Sequence, residues 1–140
     1  MSFEIIFDES YERVVAEKID GNDFFQVFYR QFLNSSEEIA ERFRNTDMDR
    51  QRTMLKKSFY SLLTFYASSN ADHYLEQIAR SHDRSHLAIR PELYDLWLEA
   101  LIDTARKFDQ EFDSSTELAW RLIMAPGIVY MKFHYDRELG

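Results

Sequence analysis

The stretch FYRQFLNSSEEIAERF, residues 28–43, contains two helical patterns separated by a polar break. In the first pattern, aromatic residues cover more than one face of a helix predicted over residues 23–33, so this helix should be largely buried. These residues are Phe24, Phe25, Phe28, Tyr29 and Phe32. In the second, Ser35 with Glu38 forms a capping-box pattern that opens a short helix ending near Phe43. The stretch therefore predicts helices, and no clear strand pattern interrupts them.

Helical spacing of apolar residues extends outward from this stretch over almost the whole chain. We predict further helices over residues 8–18, 46–67 and 91–112, one that carries Leu75 to His82 and ends before Pro91, and a last one that opens with Ser114 and Glu117. Residues 68–72 read as a loop, and Pro126 should kink or break the last helix near residues 123–126. The prediction is one all-α domain over residues 1–140, with six to eight helices.

Composition excludes several classes of function. The net charge of −8 argues against a basic face for nucleic acid. The absence of cysteine excludes disulfides, thiolate metal sites and iron–sulfur clusters. Neither a secretory signal pattern nor an apolar run long enough to span a membrane is visible, so we expect a cytoplasmic protein that binds no membrane. The aromatic content of 16% suits either an ordinary core or a cavity for a flat ligand.

Of the four histidines, His82 is either a hydrogen-bonded core residue or the one best placed to bind a metal. It follows Leu75, Ile78 and Ala79 on the apolar face of a predicted helix, so it should point into the core. His86, one turn further on, is the alternative. The two could also form a zinc pair, although no third ligand is evident.

Several stretches together resemble a known family. Residues 28–43 are similar to the second and third helices of bacterial globins and of flavohaemoglobin haem domains. LEQIARSH, residues 75–82, resembles the approach to the family's proximal histidine, and RPELYDLWLEALI, residues 90–102, resembles the following helix. Trp120 lies where many bacterial globins carry a tryptophan. The resemblance covers nearly the whole chain in order. The segment between His82 and Pro91 is about two residues longer than in the usual pattern.

This resemblance implies a globin fold around haem b, with the iron bound by His82. Phe43 is expected to stack against the porphyrin. The full set of expected haem-contacting residues is Phe28, Tyr29, Phe43, Gln51, Leu55, Phe59, Ile78, His82, Ile89, Tyr94 and Leu98.

Two polar side chains are implied on the gas-binding side of the haem. The resemblance places Tyr29 and Gln51 there, and a bound O2 carries partial negative charge to which a phenol or an amide can donate. The loop after Phe43 differs in length from the flavohaemoglobin pattern. If the register slips by one turn, Leu55 takes the position of Gln51 and the pocket becomes drier.

On the opposite side of the haem, Tyr94 matches a tyrosine that in flavohaemoglobins belongs to a network with a last-helix glutamate. That network makes the histidine more anionic and promotes O–O chemistry. The corresponding position here is Tyr135, with Glu138 one turn further on, which puts peroxidase-like or dioxygenase activity in doubt.

The sequence thus favours a globin that reversibly binds O2 on ferrous iron, with NO or CO as other gas ligands. The alternatives are an NO dioxygenase that works with an external reductase, a gas or redox sensor that acts through a partner, and a haem-free globin-like protein. A homodimer could use Trp97 and Trp120, although core packing explains both residues as well.

Overall fold

The computed structural model describes residues 2–68, 70 and 72–136. Over these residues the chain forms seven α-helices and no named strand. They are α1 (Phe3–Ala16), α2 (Phe24–Leu33), α3 (Glu37–Arg42), α4 (Met48–Ser68), α5 (His73–His82), α6 (Pro91–Phe108) and α7 (Ser114–Phe133). The all-α prediction is confirmed. None of the helices in the described part is long and apolar enough to cross a membrane.

Local capping explains where several helices begin. Helix α1 starts five residues earlier than predicted because the Ser2 side chain accepts a hydrogen bond from the backbone N–H of Ile5. Helix α3 is capped by Ser36, whereas Ser35 donates to the Phe32 carbonyl, so the predicted Ser35 capping box is wrong. Ser36 is the N-cap because it adopts the extended backbone conformation that this position requires.

The last two helices also depart from their predicted bounds. Helix α6 ends at Phe108 rather than near residue 112, because Asp109 turns the chain into an extended conformation. Asp113, not Ser114, caps α7 by accepting a hydrogen bond from the Thr116 N–H. Of the kink or break predicted near residues 123–126, the break does not occur, because helix α7 continues through Pro126 to Phe133, and the kink stays a prediction.

Trp120 lies at the centre of an aromatic core. Its ring is fully buried and contacts those of Phe7, Phe24 and Phe59, from α1, α2 and α4. Its indole N–H donates to the Ser10 hydroxyl at 2.9 Å. Trp120 is therefore a core residue and is not available to a dimer interface.

The remaining packing leaves space on one side of this core. Helix α7 packs against α1, α4 and α6, while α2 packs against α6. Helix α5 makes fewer contacts, chiefly with α4 and α7. The space between α5 and the other helices forms a cavity.

Candidate functional site

A cavity of about 480 Å³ lies between α5 and helices α2, α3, α4, α6 and α7. This volume falls within the range typical of small-molecule and cofactor sites. Most of the residues predicted to contact a ligand line it, namely Tyr29, Phe43, Gln51, Leu55, Ile78, His82, Ile89 and Tyr94. No Asp or Glu is found among the described residues that line the cavity.

His82, the last residue of α5, brings an imidazole to the cavity wall. Its Nδ1 atom lies 3.2 Å from the hydroxyl oxygen of Tyr94. Burial, together with the smaller effect of the Arg42 charge, lowers the pKa of His82 to about 4. The ring is therefore neutral at pH 7, which is the form that can donate a lone pair to a metal.

Tyr29 and Gln51 meet at another part of the wall. The side-chain nitrogen of Gln51 donates to the hydroxyl oxygen of Tyr29 at 3.2 Å. Burial raises the pKa of Tyr29 to about 12, so its phenol stays protonated and can donate a hydrogen bond. Leu55, one turn along α4, lines the cavity as well. Both candidates for the position that the sequence left open therefore reach the same space.

Three predicted contact residues, Phe28, Phe59 and Leu98, do not line the cavity. Phe28 is fully buried between the rings of Phe32 and Trp97. Phe59 packs with Trp120 in the aromatic core instead. Residues four apart on an α-helix drift by about 40° per step, so a line that starts at Gln51 has rotated away from the cavity by Phe59.

The same drift applies on α6. Leu98 is partly buried against the core but does not line the cavity, whereas Leu93, Tyr94 and Trp97 do. Leu93 and Trp97 could have been predicted from their spacing relative to Tyr94, because the three residues lie on one helix face.

The alternative metal ligand and the last-helix residues lie elsewhere. The side chain of His86 is 61% exposed, and its Nδ1 lies 2.7 Å from a carboxylate oxygen of Asp83. No group of three metal-binding side chains occurs in the described ranges, so the zinc-pair alternative gains no third ligand. Tyr135 follows α7 and does not line the cavity. Its backbone carbonyl accepts a hydrogen bond from the Arg84 N–H. Glu138 lies outside the described residues.

The other lining residues lie outside the predicted set. Helix α7 contributes Gly127, Ile128 and Met131, which reach the cavity only because α7 approaches α4 closely. A methyl group on Gly127 would overlap the side chain of Leu62. The remaining unpredicted lining residues include Phe32, Ile39, Arg42, Thr46, Met54, Ser58, Leu62, Tyr74, Leu75, Ser81, Leu87, Leu93 and Trp97.

The cavity residues fit a haem. Aliphatic and aromatic side chains make up most of the wall, as a porphyrin requires, and one neutral imidazole faces the space. His82 would bind the iron through Nε2, since Nδ1 is already engaged with Tyr94. A second apolar depression, between α4 and α7, is lined by residues such as Phe65, Pro126 and Phe133 and contains no histidine, so it lacks such a ligand.

Comparison with known proteins points to one relative. A search of solved structures matches a protein of Pseudomonas aeruginosa PAO1 that is described as structurally highly homologous to a human hemoglobin. The two chains are 38% identical, with a TM-score of 0.87, and the match covers 96% of this chain and 99% of the other. No protein-family model matches the chain, and no curated protein matches it either.

Proposed function

The chain belongs to the globin family, and on this premise we propose that it binds haem b and reversibly binds a diatomic gas, most readily O2. Globins in general bind gases through haem. The observation that carries the proposal is that His82 lines the same cavity as the hydrogen-bonded pair of Tyr29 and Gln51. One side chain can hold the iron, and the other two can donate hydrogen bonds to a polar ligand.

When bound, haem supplies a ferrous iron that can coordinate a gas molecule. The protein supplies the imidazole that holds the iron and an apolar wall that limits the access of water. Phe43, which follows α3, and Ile89, which precedes α6, belong to this wall. His82 lies at the end of α5 and lines the same cavity. The phenol O–H and the amide N–H of the polar pair would favour a ligand that becomes partly negative, as O2 does.

The contact between His82 and Tyr94 supports a carrier over an enzyme. If Nε2 binds iron, then Nδ1 must carry the hydrogen and donate it to the Tyr94 oxygen, 3.2 Å away. A neutral phenol oxygen is a weaker acceptor than a carboxylate, so it leaves the imidazole less anionic. Among the described residues that line the cavity none is acidic, so no described carboxylate there accepts a hydrogen bond from His82.

A haem titration tests the proposal. Apoprotein titrated with haemin should give a Soret band that saturates at one haem per chain. His82→Ala should lose most of this band, because the bond from protein to iron is gone. His86→Ala is the matched control, since this exposed ring is engaged with Asp83 and should leave the spectrum unchanged.

Two results would contradict the proposal. Absence of a Soret band in the wild-type protein would leave the haem-free alternative. Loss of the band in His86→Ala, with His82→Ala unaffected, would move the ligand by one helical turn. The enzyme alternative is distinguished by adding NO to the oxygenated protein: sustained turnover to nitrate with an external reductase would favour an NO dioxygenase.

A further inference from the structure

Arg42, the last residue of α3, binds the backbone of the loop that follows α5. Its Nη1 donates to the Leu87 carbonyl at 2.6 Å, and its Nη2 donates to the Ala88 carbonyl at 3.0 Å. Arg42 is also one of the residues that line the cavity, and its side chain is 30% exposed. Hydrogen bonds from a charged donor to a carbonyl are stronger than neutral ones, so this contact fixes the loop firmly to α3.

The same loop is closed back onto the end of α5. The Leu87 N–H donates to the Ser81 carbonyl, and the Ile89 N–H donates to the His82 carbonyl, each at 3.0 Å. Leu87 and Ile89 in turn line the cavity. A displacement of the loop would therefore move both a part of the wall and the backbone of His82 itself.

Ala88 is held in a conformation that it does not favour. Its φ of +52° lies in the left-handed region, which is uncommon for a residue with a Cβ atom. Such a conformation persists where surrounding contacts determine it. Two contacts do so here: the Ala88 N–H donates to the Asp83 carbonyl at 2.8 Å, and its own carbonyl accepts from Arg42.

We propose that Arg42 is a positioning residue for His82: by binding the carbonyls of Leu87 and Ala88, it holds the loop after α5 and so sets the orientation of the imidazole toward the haem iron. This inference rests on the proposed function, because it assigns a role toward a haem bound by His82. Arg42 acts through the loop, since its guanidinium donates to the carbonyls of residues 87 and 88 and not to the imidazole.

A second set of contacts keeps α3 in place without Arg42. Glu38 accepts hydrogen bonds from Arg90 at 2.5 and 3.2 Å, which join α3 to the residue before α6. Arg42 makes only longer contacts with Glu38, at 3.4 Å. We therefore expect a variant at Arg42 to fold, with α3 docked and the loop released.

The test compares Arg42→Ala with Arg42→Lys and with Arg44→Ala. Lysine keeps the positive charge but can bond fewer carbonyls at once, so it should rescue the Ala variant in part. Arg44 is the matched control, because it lies two residues further on, is 67% exposed and pairs with Glu41. Each haem-loaded variant is examined for the rate of haem transfer to an apomyoglobin acceptor and, in the ferrous deoxy form, for the iron–histidine stretching band in resonance Raman spectra.

Arg42→Ala should lose haem about ten-fold faster than the wild-type protein, because it loses both charged hydrogen bonds to the loop and part of their free energy reaches the bond between His82 and the iron. Its iron–histidine band should shift or broaden. Arg42→Lys should lie between the two, and Arg44→Ala should match the wild-type protein.

Three outcomes would overturn the inference. If Arg42→Ala loses haem at the wild-type rate and keeps an unchanged iron–histidine band, the position of the loop does not depend on Arg42. Faster haem loss with an unchanged band would assign Arg42 a structural role only. If Arg42→Ala fails to fold, an unchanged band and rate in Arg42→Lys decide against the inference. In each of these cases a normal wild-type Soret band leaves the proposed function intact, whereas its absence removes both proposals.

Discussion

The side-chain nitrogen of Gln51 donates a hydrogen bond to the hydroxyl oxygen of Tyr29, at 3.2 Å, on the wall of the cavity. This direction matters because it uses the oxygen of Tyr29 as an acceptor and leaves its hydrogen available. Within the described residues, the Tyr29 hydroxyl makes no other hydrogen bond to a side chain. The phenol can therefore donate to a ligand in the cavity while Gln51 holds it in place.

Replacement of Tyr29 by Phe should speed the release of O2. The change removes only the hydroxyl and keeps the ring that packs against Phe28 and Phe43. A hydrogen bond to a partly charged acceptor contributes about 1.4 kcal/mol, which corresponds to roughly a ten-fold increase in the O2 dissociation rate. Stopped-flow mixing with CO measures this rate. CO becomes much less polar on binding, so its own release should change little.

Gln51→Leu is the companion variant and should have a smaller effect. Gln51 contributes through the Tyr29 oxygen as well as directly, so its loss weakens the orientation of the phenol but leaves the phenol present. If both variants release O2 at the wild-type rate, these two residues do not contact the ligand. Leu55, which lines the same cavity, would then be the better candidate for that position.

Gly127→Ala tests whether the close approach of α7 to α4 shapes the cavity. The new methyl group would overlap the side chain of Leu62, which can move only at the expense of the cavity that it lines. Overpacking costs about 1–3 kcal/mol, whereas alanine favours a helix over glycine by about 1 kcal/mol. The apoprotein, whose cavity can absorb the displaced side chain, should therefore keep nearly its wild-type stability, while the haem-loaded protein should lose haem about ten-fold faster.

Haem transfer to an apomyoglobin acceptor and urea unfolding of the apoprotein measure the two effects of Gly127→Ala. The double variant Gly127→Ala with Leu62→Ala is the control, because removing the displaced side chain should restore slow haem loss. Equal haem loss in the single variant and the wild-type protein would show that Leu62 relaxes away from the haem.

Asp109 is the acidic centre of a buried network, and its removal should destabilise the fold. Its carboxylate accepts hydrogen bonds at 2.6 Å from both Ser10 and the Nε of Arg13, joining α1 to the end of α6. Removing one partner of a buried ion pair costs about 3–5 kcal/mol. Because the Arg13 side chain is 30% exposed, we expect Asp109→Asn to lose about 3 kcal/mol, near the lower end of that range. Urea unfolding measures the loss.

The pH dependence of stability gives a second test of Asp109. Burial raises the pKa of this carboxyl, but hydrogen bonds from Arg13 and Ser10 outweigh it and hold the pKa below its usual range. A depressed folded-state pKa stabilises the protein above the unfolded value, about pH 4, and this stability is lost as pH falls through the lower folded value. Asp109→Asn should flatten this acid dependence. Asp95→Asn, in an exposed pair with Lys132, should change stability by less than about 1 kcal/mol.

The sequence predicted the positions of Tyr29 and His82, both of which line the cavity. Tyr29 lies in the aromatic pattern of α2, and His82 follows Leu75 and Ala79 at helical intervals, so a motif could place both. Helix α1 was predicted too short because its first turn depends on the cap at Ser2 and on packing against α7 rather than on its own periodicity.

Other parts of the site depend on contacts between distant segments and could not be predicted. Arg42 binds carbonyls 45 and 46 residues further along the chain, and no spacing rule encodes that contact. Gly127 matters only because α7 meets α4 at Leu62. Phe59 was misplaced for a different, local reason: residues four apart on a helix rotate by about 40° per step, so Phe59 faces the core rather than the cavity.

Reversible oxygenation is the measurement that tests the central claim most directly. The haem-loaded protein is reduced under argon, exposed to air and returned to argon while its visible spectrum is recorded. A globin that holds its iron through His82 and donates to the ligand from Tyr29 should give a stable oxygenated spectrum in air and recover the deoxy spectrum under argon over repeated cycles. Immediate and irreversible conversion to the ferric spectrum on first contact with air would contradict reversible O2 binding.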